Sequence, residues 1–101
     1  MNAEFRGEIE KALASIGFTV DSRERQGREL KTWFSEPLRS RDRKRIPTAL
    51  NRAGLGPVSV DSSPWWRVRG PGYSLEESES LDMTPILFLS ISSSPVLREG
   101  S

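Results

Sequence analysis

Residues 18–35 read FTVDSRERQGRELKTWFS, and the fold turns on how this stretch is read. Apolar and polar residues alternate on both sides of Gln26-Gly27. Phe18 and Val20 alternate with Thr19 and Asp21, and Leu30, Thr32 and Phe34 alternate with Lys31 and Trp33. A period of two is the pattern of a strand, because successive side chains point to opposite faces of a sheet. Two such runs around a Gln-Gly turn predict a hairpin over 18–35.

Towards the N-terminus the period changes. Phe5, Ile9, Ala12, Leu13 and Ile16 form one stripe at helical spacing, and Gly17 suits the position just past a helix end. Towards the C-terminus, Pro37 breaks the strand. Pro47 suits the first residue of a second helix, with Leu50 and Ala53 facing inward and Gly54 ending it. The basic run Arg39–Arg45 then reads as a loop or extra turn leading into that helix. GPVSVDS (56–62) and WWRVR (65–69) read as strands, the second closed by Gly70-Pro71-Gly72. Residues 74–82, SLEESESLD, are acidic and weakly apolar, which predicts a loop or short helix. TPILFLSIS (84–92) reads as the last strand, apolar on both faces. The expected fold is α+β, in the order α-β-β-α-β-β-β: a small antiparallel sheet of about five strands with two helices on one face. It occupies residues 1–92 as a single domain, with 93–101 a flexible tail.

Composition narrows the chemistry. The 101 residues include no cysteine and no histidine. Disulfides, thiolate nucleophiles and zinc–cysteine sites are excluded. The commonest general base and metal ligand is missing too. No cofactor or metal is expected. The longest apolar run, Ile86–Leu89, is too short to span a bilayer, and MNAEFRGEIEK has no apolar core of the signal-peptide kind. These features predict a cytoplasmic protein with no membrane partner. Net charge is +1, but it is segregated. Residues 36–70 carry eight cations against three carboxylates, and residues 71–101 carry one against five. Local fields therefore say more than the net value.

Three groups of residues are candidates for function. In VDSRERQGRELK, Asp21 precedes Glu29-Leu30-Lys31 on the partner strand. This resembles the metal-dependent nuclease pattern named for its PD-(D/E)xK residues, although no proline precedes Asp21. The resemblance implies that Asp21 and Glu29 hold Mg²⁺ while Lys31 assists water attack. The plainer reading is a solvated set of cross-strand charges. The second group is the basic run of Arg39, Arg41, Arg43, Lys44 and Arg45, in which arginine dominates. Arginine's planar fork suits phosphate contact. The third is a sheet face. Strand alternation sends Trp66 and Val68 inward and leaves Trp65, Arg67 and Arg69 outward, with Lys31, Trp33, Ile86 and Phe88 beside them. Two short helices cannot cover both faces of such a sheet. Aromatic residues interleaved with arginines on an open sheet form a stacking platform of the kind single-strand binders use. They are equally the composition of a protein-interface hot spot. If strand order differs, both tryptophans are core. The acidic Glu76, Glu77, Glu79 and Asp82 either stay solvated, fold back to screen the basic run, or mimic nucleic acid.

The reading that follows is binding rather than catalysis: a non-catalytic nucleic-acid-binding protein for RNA or single-stranded DNA. Its basic loop takes phosphates and its Trp33/Trp65 face stacks bases. The alternative is a small protein-binding inhibitor or adaptor, or a homodimer, acting through the same face. A nuclease is the third reading.

Overall fold

The structure is a computed structural model that describes residues 2–62 and 65–92. The expected tail, 93–101, lies outside the described residues. Among these the chain forms α1 (Asn2–Ala14), β1 (Val20–Gln26), β2 (Glu29–Pro37), α2 (Ser40–Arg52), β3 (Ser59–Asp61), β4 (Arg67–Gly70), β5 (Tyr73–Glu79) and β6 (Pro85–Ser92). The strands make one antiparallel sheet in the order β1-β2-β6-β5-β4-β3. The α+β class, the antiparallel sheet and the two helices are as the sequence predicts, with six strands rather than five.

The turns follow from their residues. Gln26 pairs with Glu29, so Gly27-Arg28 is a two-residue hairpin loop, and Gly27 opens it at φ +62°. Gly70 pairs with Tyr73 around Pro71-Gly72, with Gly72 at φ +82°. Both helices end alike. The Phe18 N–H donates to the Leu13 carbonyl (3.0 Å) and the Gly17 N–H to Ala14 (3.1 Å). The Leu55 N–H donates to Leu50 (3.0 Å) and the Gly54 N–H to Asn51 (3.1 Å). This is the Schellman arrangement, with a left-handed glycine and then a buried apolar residue, here Phe18 and Leu55.

The core lies between the helices and one sheet face. Ile9 and Leu13 of α1 and Ile46 and Leu50 of α2 are fully buried against Phe34, Val68, Leu75, Leu87 and Leu89. A single polar group is drawn into this layer from α1. Glu10 accepts bonds from Arg23 Nε (3.0 Å), Arg23 Nη2 (2.8 Å) and the fully buried Thr32 hydroxyl (3.0 Å), with Arg6 at 3.8 Å. Burial pushes the Glu10 carboxyl up, but the Arg23 and Thr32 bonds and the Arg23 and Arg6 charges outweigh it. Its pKa lies below the ordinary glutamate value. Tyr73 is the other pin: its hydroxyl donates to the Leu55 carbonyl (3.0 Å), and burial pushes its pKa up to about 12.

Two segments depart from expectation. The basic run is not a loop, because α2 begins at Ser40 and Pro47 lies inside it. The Arg39 N–H donates to the buried Asp42 carboxylate (3.0 Å), which closes the first turn. Ile46, fully buried, then anchors that half of the helix to the core. Residues 74–82 are also not a loop or short helix. Most of the segment is β5, held between β4 and β6, with Tyr73 and Leu75 buried. Its carboxylates are tolerated because they find partners: Glu76 faces Arg67 (3.3 Å) and Glu77 bonds Arg43 (3.0 Å). Asp82 sits in the following turn, where Ser80 and Thr84 donate to it.

Candidate functional site: a cationic track on α2

The two tryptophans part as expected, although the strand is shorter than expected: β4 begins at Arg67, and Trp65 and Trp66 lie just before it. Trp66 is 6% exposed and packs in the core, whereas Trp65 is 61% exposed. Leu30, Thr32 and Phe34 face the helices, as do Leu87, Leu89 and Ile91. Trp33, Phe88 and Ile86 lie on the opposite face and are half-buried there. Trp33 stacks on Phe88 with ring centroids 4.7 Å apart, and the Lys31 ammonium sits 5.4 Å from the Phe88 centroid.

That face is not a basic surface. Register and alternation put Lys31, Arg67 and Arg69 on it, but also Glu24, Glu29, Asp61 and Glu76. Lys31 lies 3.9 Å from Glu29, and Arg67 lies against Glu76. The platform is aromatic as expected, yet its cations are largely answered.

Arg69 has no carboxylate within ion-pair distance among the described residues, but most of the free cations are on the other side of the sheet. α2 packs on the core face, so the basic run and the aromatic platform occupy opposite surfaces. The expectation of one site combining them is corrected by this placement. Helical spacing turns the run into a stripe. Lys44, Arg45, Thr48 and Arg52 line a groove of about 600 Å³ between α2 and the end of α1, floored by Ala12, Ile16, Ala49 and Ala53. Arg39, Arg41 and Arg45 border a smaller depression of about 200 Å³ beside Pro37 and Gly17, which Glu36 and Asp42 also line. Arg45 belongs to both, so the two hollows form one track. Arg41 to Arg52 spans about 16 Å at the helical rise. Arg39, Arg41, Lys44 and Arg52 have no carboxylate within ion-pair distance among the described residues, and Arg45 has only Asp42 at 3.9 Å. Arg43 points elsewhere and is held by Glu77. The expected role of the acidic segment as a screen is thus met at one cation. Arg52 is a member the basic run did not include. The signal for it was available: Arg41, Arg45, Thr48 and Arg52 recur at helical spacing.

The nuclease set is not assembled. Asp21 lies in a bulge opposite Trp33 and Phe34, four to five residues along β2 from Glu29. At strand rise that is roughly 15 Å, beyond the ligand shell of one divalent ion. Lys31 is engaged with Glu29. No group of three or more acidic residues is placed to hold a metal ion among the described residues.

Fold and site together define a small α+β sheet protein with a cationic helix on one side and an aromatic face on the other. No protein-family model matches the chain, and no curated protein or solved structure matches it either. No described helix is long and apolar enough to cross a membrane.

Proposed function

We propose that the protein binds nucleic acid through α2 and that it reads the phosphate backbone of a duplex. The observation that carries this is the track of Arg39, Arg41, Lys44, Arg45 and Arg52, concave and without acidic partners at four of its five positions. A rigid helix that offers cations over about 16 Å matches several consecutive phosphates of a double helix, which carry one charge per about 3.4 Å of each strand. Single-strand recognition needs stacking beside the cations. The one aromatic bordering the track, Phe18, is buried. The site carries positioning contacts and no base reader, so affinity is expected to depend little on sequence.

The test is a salt titration of binding to a duplex of mixed sequence. If about five phosphates are neutralised, log K falls with log salt at a slope near −4.5. The Lys44→Ala, Arg45→Ala, Arg52→Ala triple variant flattens that slope by about 2–3. Binding that ignores salt, or that the triple variant retains unchanged, would sink the proposal.

A further inference from the structure

The β5–β6 hairpin carries a knob at its turn and a hollow further along its uncovered face. At the turn, Leu81 is fully exposed and Met83 is 70% exposed. Met83 is held at φ +66°, a left-handed backbone uncommon outside glycine. Asp82, between them, accepts from Ser80 and Thr84 and has no cation within ion-pair distance among the described residues. The hollow, of about 250 Å³, is floored by the cross-strand pair Ser74–Ser90 and rimmed by Glu29, Arg67, Arg69 and Glu76. Lys31 lies against Glu29 and Arg67 against Glu76, which leaves Arg69 as the unanswered charge. The Arg67 Nε is buried there without an aligned hydrogen bond. The turn thus holds an unpaired anion and the hollow an unpaired cation. Eight residues of strand, about 27 Å, keep them apart within one chain.

We propose that a second copy of this chain supplies the match, the two open sheet faces packing together about a twofold axis. The register places that axis. Ser78 and Ile86 are paired, and each lies four residues from the Ser74–Ser90 pair and four from Asp82. An axis across the strands at Ser78–Ile86 therefore lays the turn of each copy, about 14 Å to one side, over the hollow of the other. Asp82 meets Arg69 at two equivalent contacts, and Leu81 and Met83 leave water. Ile86 meets its own copy on the axis, and Trp65, which borders the same cleft as Ser78, is covered beside it. The Glu76–Phe88 row meets Ser80 and Thr84, so no like charges on β5 and β6 are opposed. Both helix layers stay outside. Resting on the duplex reading above, one dimer then joins two duplexes through α2 tracks that face away from each other.

The test is sedimentation equilibrium of the full chain without nucleic acid, which keeps it separate from the duplex titration. Wild type is expected to dimerise at about 0.1 mM. Arg69→Glu and Asp82→Arg each oppose like charges at both contacts, and each is expected to weaken the dimer more than roughly tenfold. Mixed in equal amounts, the two variants are expected to regain it, because every contact then joins opposite charges. Leu81→Ser, at a side chain fully exposed in the single chain, is also expected to weaken it. The Lys44→Ala, Arg45→Ala, Arg52→Ala triple variant leaves it intact. Wild type that stays monomeric at about 1 mM would overturn the proposal. So would a dimer that both charge variants retain, or a mixture that associates no more tightly than either variant alone.

Discussion

Glu10 shows how much a single side chain organises. Its carboxylate ties α1 to β1 through Arg23 and to β2 through Thr32. Its replacement by glutamine leaves the Thr32 hydroxyl and the Arg23 fork poorly matched. We expect Glu10→Gln to cost about 1–3 kcal/mol near neutral pH, read by urea denaturation. The pH dependence has a definite sign. The folded-state pKa is depressed, so the contribution is complete above the unfolded value near 4.3 and is lost as pH falls through the folded value. The gap between wild type and variant should therefore close in acid. A gap that persisted or widened there would mean packing rather than charge is responsible. Nothing in the local pattern marks Glu10 for this role, since it follows Ile9 on a charged helix and its partners are 13 and 22 residues away. The opposite burial of Trp65 and Trp66 was legible from the alternation of the run they begin, although β4 itself starts only at Arg67.

At the scale of elements, α2 is the instructive case. Pro47 reads as a helix start, yet the helix extends seven residues before it. Two facts override the proline, one long-range and one local: Ile46 is drawn into the core, and Asp42 caps the first turn. The ring removes a donor and leaves the Arg43 carbonyl without its helical partner. Pro47→Ala restores that donor, against a gain in unfolded-state freedom. We expect it to stabilise the protein by about 1–2 kcal/mol in chemical denaturation. Lower stability would show that the packing of the half-buried ring matters more than the lost bond. β5 was hidden for a similar reason. Glu76, Glu77 and Glu79 suppress the apolar signal, and only Arg67 and Arg43, distant in sequence, make Glu76 and Glu77 acceptable in a paired strand. The β1–β2 hairpin and both glycine-ended helices were legible, because their information is local.

The whole molecule separates what the sequence places together. Basic run and Trp-Arg motif look like one site when read along the chain. The crossover through α2, from β2 to β3 at the far edge, puts the run on the helix layer while β4 leaves Trp65 on the other face. Topology of this kind is not written in any short window. In the function we propose, the helix side, and not the aromatic side, meets nucleic acid. The most direct measurement is a two-dimensional NMR titration with a short duplex at low salt. Backbone amides of Arg41, Lys44, Arg45 and Arg52, with Ser15 and Ile16 across the groove, should shift, while the indole N–H signals of Trp33 and Trp65 stay in place. Shifts centred on Trp33 and Trp65, with α2 unmoved, would contradict it.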